Sequence, residues 1–261
     1  MEHNKAQQDR INLNSLREIY DELPDSFINF TNSDVINYCL HQVKVGTKSE
    51  QSARVLNSWI NNEIIFINDE DKGKIRRFDR LESVWLSIVV EARKFGIPLE
   101  SLKQTRKDLT LSPVKGFSLL KFSILETILR KPKILMIFEN GFSNVMSLET
   151  YTKCISKGIF PTHVNFKLID FIALEYPNNA LDLDFKIKDV YEDDEKMTML
   201  YFLKTGDYQS IKLYVSDGDV RLIENSKLLL QNIELMTSIS SWTFKMAEVF
   251  IKDEIKITIT P

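Results

Sequence analysis

Between residues 30 and 43, FTNSDVINYCLHQV, apolar side chains return at helical spacing, so that Val35, Ile36, Cys39, Leu40 and Val43 share one side. Asn32 or Ser33 can cap this first helix, and Asp34 puts an acid in its first turn, where the helix dipole favours negative charge. KVGTKSE interrupts the pattern at Gly46. A second helix restarts with Thr47 or Ser49 as cap and turns Val55, Leu56, Trp59 and Ile60 inward. Two short helices joined by a polar, glycine-containing turn form a helix-turn-helix layout, with a turn several residues longer than the compact version.

β-prone residues follow from Ile64 to Ile67, then NDEDKGK, then a return from Ile75 to Phe78. This predicts a hairpin whose tip uses Asp71 and Gly73 for backbone angles that other residues resist. DRLESVWLSIVVEARKF reads as a helix with Leu81, Val84, Trp85, Ile88, Val89 and Ala92 on one broad side, Gly96 as its stop and Pro98 beyond. PLESLKQTRKDL gives a further short helix, and GFSLLKFSILETILRK a connecting one. Trp59 and Trp85 fall on apolar stripes, so both are expected to pack in the core rather than stack on a ligand.

Beyond residue 131, KPKILMIFENGFSNVMSL predicts a hairpin about a two-residue Asn140-Gly141 turn, and SLETYTKCISKG a helix closed at Gly158. THVNFKLIDFIALEY is compatible with a strand running into a helix. Acids at Asp193 and Asp194 open a helix through Phe202 that Gly206 closes. A strand from Tyr208 to Val215, a turn at Asp217-Gly218 and a returning strand through Ile223 come next. The tail AEVFIKDEIKITITP alternates as one or two strands about a charged turn at Lys252 to Glu254. The expected fold class is α+β, with an N-terminal arm over residues 1–28 in which LNSLREIYDEL is a short amphipathic helix. A winged helix-turn-helix domain over 29–110, a connecting helix over 111–131 and a small α+β sheet domain over 132–261 complete it.

A chain of 261 residues, 43% apolar, can bury one good core or two modest ones. Its formal net charge is only -3, but the charge is unevenly placed: residues 72–107 carry ten basic and four acidic side chains, residues 170–261 ten basic and seventeen acidic. That polarity suits a molecule offering one face to a polyanion. Cys39 and Cys154 stand far apart, with no CxxC pair or histidine cluster, so neither a zinc site nor a disulfide framework is implied. No apolar run reaches the roughly 18 residues of a membrane span, and MEHNKAQQDR lacks the apolar stretch of a signal peptide, which points to a soluble cytoplasmic protein. There is no phosphate-cradling glycine loop, HExxH or GxSxG, and His3, His41 and His163 stand beside no obvious nucleophile. Asp193 and Asp194 read as helix-start charges rather than a catalytic pair. Neither catalysis nor a cofactor or metal is expected.

Over about residues 30–107 these features together resemble the DNA-binding domain of the MerR, or mercury-resistance regulator, family. The resemblance is carried by RVLNSWINNEII, where the family has a helix ending in an aromatic residue, and by GKIRRFD, where it has a wing returning as Gly-x-Arg-x-Tyr. It continues in LESVWLSIVVEARKFGIPLESLK, which holds Gly96-Ile97-Pro98-Leu99-Glu100-Ser101-Leu102 against the family's Gly-Phe-Ser-Leu-Glu-x-Ile. This chain departs in Asn57, where an arginine usually precedes the aromatic, in Ile60, where an acid follows, and in Glu63, where the family turns on glycine. Those departures bear on the helix's usual base and phosphate contacts. The resemblance implies a transcriptional regulator that binds double-stranded DNA as a homodimer, through the helices after residue 98 or through the C-terminal domain. It names no small-molecule effector, it ends near residue 110, and no cysteine pair follows to hold a metal.

A surface that grips duplex DNA needs cations along the groove edge, because neutralising phosphates releases counterions. Lys72, Lys74, Arg76, Arg77 and Arg80 lie on the expected hairpin and its exit. Neighbours on a strand alternate sides, so one of Arg76 and Arg77 faces DNA and the other its own domain; family position favours Arg76 for the outward role. The same segment is compatible with a solvated charged turn. Base contacts fall to the start of the second helix, which enters the major groove first: Lys48, Gln51, Ser52, Arg54 and Asn57. Arg54 suits guanine and Gln51 or Asn57 adenine, although Arg54 can equally pair with Glu50. Two other functions fit the same outline: an architectural, excisionase-like factor of a mobile element, and a protein-interaction module acting through its acidic C-terminal half.

Overall fold

Most helices begin and end where local chemistry favours it, but two segments find partners that the linear pattern does not reveal. The computed structural model describes residues 23–46, 51–67, 77–110, 118–129, 131–229, 231–252 and 255–261. The fold is α+β and divides into two compact units: Thr31–Glu175 make the body of the first, Pro24–Phe30 and Tyr176–Pro261 the second. The boundary expected at residue 131 therefore falls inside the first unit. All of LNSLREIYDEL but its last residue lies outside the described residues.

α1 (Asp25–Asn32) spans the point where the chain passes from the second unit to the first. α2 (Asp34–Asn37) starts on Ser33, whose hydroxyl accepts the Ile36 amide at 3.4 Å, and winds directly into a π-helical turn, Tyr38–Gln42. Ile36, Cys39 and Leu40 are buried. β1 (Val45–Gly46) follows. α3 (Ala53–Asn61) is capped by Ser52, not by Thr47 or Ser49, and buries Leu56 and Trp59.

The expected hairpin is corrected at its first strand. The Ile64 and Ile65 amides donate to Trp59 O at 2.9 and 3.5 Å, Ile64 O accepts from Trp85 Nε1 at 2.6 Å, and the Phe66 amide donates to the Glu82 carboxylate at 2.5 Å. With those backbone groups engaged by helix and side-chain partners, residues 64–67 form no ladder. β2 (Arg77–Phe78) pairs instead with β1, antiparallel, with Gly46 opposite Arg77 and Val45 opposite Phe78.

α4 (Arg80–Lys94) opens on Asp79, whose carboxylate accepts the Glu82 amide at 2.8 Å, and closes at Gly96, φ +78°. All six apolar residues expected on its inner side are buried. α5 (Leu99–Thr110) follows. α6 (Leu119–Leu129) is buried at every residue, so the expected connecting helix is a core helix. It has no solvated face to give up: the Ser123 and Thr127 hydroxyls donate back to Leu119 O and Ser123 O, Lys121 Nζ donates to Asn37 Oδ1 at 2.9 Å, and Glu126 pairs with Lys133. A helix apolar on all sides belongs inside a protein.

β3 (Lys133–Phe138) is the middle strand of an antiparallel sheet, between β4 (Ser143–Ser147) and β5 (His163–Lys167). α7 (Leu148–Ser156) precedes β5, and α8 (Leu168–Glu175) continues from it and packs on α4 and α6. On one face of β3, Ile134, Met136 and Phe138 meet Met146, Tyr151 and Phe160. On the other, Lys133 lies 5.0 Å from the Phe122 ring of α6. The β3–β4 turn is one residue longer than expected. Gly141 N donates to Phe138 O and Phe138 N to Phe142 O, both at 2.9 Å, with Gly141 left-handed at φ +81°. α5 clamps this turn: Thr105 Oγ1 donates to Gly141 O at 3.0 Å, and Asp108 accepts from the Ser143 amide and hydroxyl at 3.2 and 3.1 Å. That polar seam is why the β3–β4 hairpin belongs with the helices before it.

In the second unit a 3-10 turn, Val190–Glu192, leads to α9 (Asp194–Thr205), capped by the Asp193 carboxylate on the Glu195 and Lys196 amides and ended by left-handed Gly206. β6 (Ser210–Ser216) and β7 (Asp219–Ile223) form the expected hairpin. Two helices not anticipated, α10 (Ser226–Leu229) and α11 (Ile233–Ser240), come before β8 (Met246–Phe250) and β9 (Lys256–Ile259). The antiparallel sheet has the order β7-β6-β8-β9. Ile211, Leu213, Ala247, Val249 and Ile259 are buried on its inner face, and Phe27 and Phe30 of α1 lie 6.2 Å from Tyr191 and 6.5 Å from Tyr201. Among the described residues no helix is long and apolar enough to cross a membrane.

Candidate nucleic-acid interface

α3 has two unlike sides. Leu56 and Trp59 are buried, whereas Arg54, Asn57, Ser58 and Asn61 are exposed, and steps of three and four residues set these four in one stripe. Of the residues expected to read bases, Arg54 and Asn57 thus stand on the outer face, and Gln51 is half-buried just ahead of the helix. Ser52 has a structural duty, since its hydroxyl accepts the Val55 amide at 3.4 Å and sets where the helix begins. Ser58 and Asn61 were missed, although the helical period counted from Arg54 reaches both. Lys48 and Glu50 lie outside the described residues.

The entry to α3 and the exit of the basic segment meet in the β1–β2 ladder. Phe78 is buried and Arg77, opposite Gly46, is exposed, so on this strand the outward side belongs to Arg77, where family position favoured Arg76. Lys72, Lys74 and Arg76 lie outside the described residues. Arg80 is a correction: it is 6% exposed and cannot lie on a DNA-facing surface. It is the first residue of α4, so helical rather than strand geometry orients it, on the inward side shared with Val84 four residues on.

The stretch leaving α3 is held from below by a buried charged cluster. One Glu82 oxygen accepts the Phe66 amide and the other takes Arg106 Nη2, each at 2.5 Å. The Arg106 guanidinium lies 5.0 Å from the Phe66 ring centroid and 5.9 Å from that of Trp85. Burial pushes the Glu82 carboxyl up to about 7, against the opposing pull of Arg106 and the Phe66 amide. The sequence signal for this cluster is slight: an acid, Glu82, between the apolar residues Leu81 and Val84 of α4. His41 Nδ1, 3.2 Å from the Asp79 carboxylate, links the first helical segment to the start of α4.

α3 runs out at Glu63, which takes φ +59°, the left-handed region, where the resembled family turns on glycine. Its carboxylate is 3.0 Å from Lys103 Nζ, and the Lys103 hydrogen bond and charge, with a further contribution from Lys107, hold it below the usual carboxylate range. Two cations of α5, four residues apart, therefore stand near the end of α3.

Comparison with protein-family models, with curated proteins and with solved structures found no match. The geometry stands alone. It offers a guanidinium and carboxamides along an exposed helix, an exposed arginine on a strand paired to that helix's entry, and two lysines near its end. His163 is engaged in packing: its ring nitrogens lie 3.1 Å from Tyr151 Oη and 2.8 Å from Pro161 O. Among the described residues no group of three or more His, Cys, Asp or Glu side chains is placed to hold a metal ion.

Proposed function

We propose that the chain is a sequence-specific, homodimeric DNA-binding regulator that grips duplex DNA with the outer stripe of α3 and the basic segment entering β2. The observation that carries this reading is the β1–β2 ladder. By pairing Gly46 with Arg77 it sets the end of a segment rich in cations, Lys72, Lys74, Arg76 and Arg77, beside the strand that leads into α3. Cations on that segment position the molecule on phosphates, while Arg54, Asn57 and Gln51 offer the paired donors and acceptors that distinguish guanine and adenine. The acidic excess over residues 170–261 discourages that half from lying on the same polyanion.

Selection of bound duplexes from a random pool tests this directly. The expected product is one motif in two inverted half-sites, whereas a row of direct repeats supports the architectural role instead. Arg54→Ala changes the preferred bases. Replacing Arg76 and Arg77 together by Ala weakens binding to every sequence and, with one of the two facing DNA, lowers the slope of log affinity against log salt by about 1. Affinity untouched by the double replacement would overturn the assignment.

A further inference from the structure

Four of the ten large hydrophobic side chains exposed among the described residues fall in one short stretch: Val220 at 49%, Leu222 at 55%, Leu228 at 58% and Ile233 at 78%. The first two lie on β7, an edge strand of the second unit's sheet. Their surroundings make them unusual. Across the sheet's outer face the neighbouring strands carry paired polar groups: Lys212 stands 5.1 Å from the Phe250 ring centroid, Tyr214 Oη donates to Glu248 at 3.0 Å, and Lys256 reaches the same carboxylate at 2.8 Å. Val220 is opposite Tyr214 and Leu222 opposite Lys212, so the exposed apolar side chains of the outer face lie at its rim. Strands that end a sheet in water are blunted by charges, proline, a bulge or a covering element. β7 has a bulge in its pairing and two charges, Asp219 and Arg221, but these lie on the other side and leave the outer rim apolar, whereas at the far edge β9 bears exposed Lys256 on the outer face and the Thr260 amide just beyond it donates to Glu195 at 2.9 Å.

We propose that β7 is a dimer interface, pairing antiparallel with β7 of a second copy of this chain about a two-fold axis through Val220. Register follows from charge. A two-fold normal to the sheet keeps the inner faces of both copies on one side, so the axis must pass through a residue. Centred on Arg221, it sets two arginines opposite each other. Centred on Val220, it sets Asp219 of each copy opposite Arg221 of the other and Val220 against itself. Asp219 and Arg221 already face the same side, with Arg221 Nε 2.5 Å and Nη2 3.2 Å from the Asp219 oxygens, so the four side chains form an alternating cluster across the axis. Glu234, at the start of α11 beside Ile233, adds its negative charge to the surroundings of Arg221. The inference takes from the proposed function only the expectation of two copies, and α6, buried throughout, offers no exposed seam for them.

Sedimentation velocity on the full chain across a concentration series tests the pairing. The wild type is expected to dimerise. Asp219→Arg and Arg221→Asp each place like charges across the axis and weaken the dimer by roughly tenfold or more, while the double exchange restores it. All are surface changes, and circular dichroism melts confirm that each variant is folded. Under mild oxidation, in a Cys154→Ser background, Val220→Cys cross-links to itself because directly opposite residues sit about 4.5–5.5 Å apart. Leu222→Cys in the same background does not, being about 13 Å from its counterpart in this register. A wild type that stays monomeric, a dimer indifferent to charge reversal, or cross-linking at 222 rather than 220 would each overturn the proposal. DNA binding is measured separately on the same variants: a β7 dimer without DNA affinity leaves this inference standing and removes the regulator reading, and a DNA-binding monomer does the reverse.

Discussion

Replacing Glu82 by Gln puts a sign on the buried cluster beneath α3. In the folded protein the Glu82 carboxyl releases its proton at about 7 rather than at its ordinary 4.5, chiefly because burial penalises the carboxylate more than Arg106 and the Phe66 amide reward it. Between those two pH values the native state holds a proton that the unfolded chain has released, so stability falls as pH rises through the window. At about 1.4 kcal/mol for each tenfold change in proton affinity, the loss amounts to about 3 kcal/mol by pH 8. Glutamine has no charge to bury and keeps one oxygen for the Phe66 amide, while its NH2 group stands toward Arg106 where the protonated carboxyl has its O–H oxygen. Glu82→Gln is therefore close to wild type in stability near pH 4.5 and more stable than wild type at pH 8, by up to about 3 kcal/mol. Urea unfolding of both proteins at pH 5, 6, 7 and 8, followed by tryptophan fluorescence, measures the difference with other titrating groups cancelled. A variant less stable than wild type at pH 8, by the roughly 3–5 kcal/mol that breaking a buried pair costs, would show that attraction to Arg106 outweighs burial and refute the reasoning.

Gly141→Ala should cost about 2–4 kcal/mol in urea unfolding, because a Cβ there meets Ser101 Cα at 2.5 Å and the backbone sits at φ +81°. Gly218→Ala, at φ +80° with nothing within 4 Å, should cost only about 1–2 kcal/mol. Burial lowers the Lys121 ammonium to about 8 from its ordinary 10.5, so the native state gives up a proton before the unfolded chain does and stability from this group rises with pH across that interval. Lys121→Met is accordingly more stable than wild type at pH 7, and the advantage shrinks by pH 10 in the same assay. Asp193→Ala removes the cap of α9 and lowers stability by about 1 kcal/mol. Arg80→Ala lowers stability without changing the salt slope of DNA affinity, since the side chain is buried; a reduced slope would return it to the binding surface.

Helices with strong local signals were legible. α4 announces itself by an apolar side repeated over four turns, by Asp79 ahead of it and by Gly96 behind, and each of these does in the structure what its chemistry suggests. The start of α3 was harder because Thr47, Ser49 and Ser52 can all cap a helix, and only the packing of Leu56 and Trp59 selects the last. Residues 64–67 have strand-like composition, yet their backbone partners, Trp85 and Glu82, come from a helix that begins many residues later. Nothing local announces such a contact. A two-residue ladder such as β1–β2 leaves no alternation to read. α6 carries a legible signal in its apolar residues, which fall on every side, but the burial of Lys121 and Glu126 depends on Asn37 and Lys133, partners that the helix's own pattern does not show. Arg80 shows the same difficulty at the candidate site: a cation's sequence neighbours suggest a surface, but whether strand or helix geometry orients it decides which way it faces.

α1 leaves Phe27 and Phe30 waiting. Their aromatic partners, Tyr191 and Tyr201, are separated from them by the whole first unit, about 145 residues. On a ribosome adding about 5–20 residues per second, that interval is roughly 7–30 s, during which two phenylalanines destined for burial lack Tyr191 and Tyr201. The first unit can close while they wait, whereas the second is completed only as the last strands emerge. Removing β8 and β9 should therefore harm solubility before it harms the first unit, by stranding an aromatic surface made ahead of that unit.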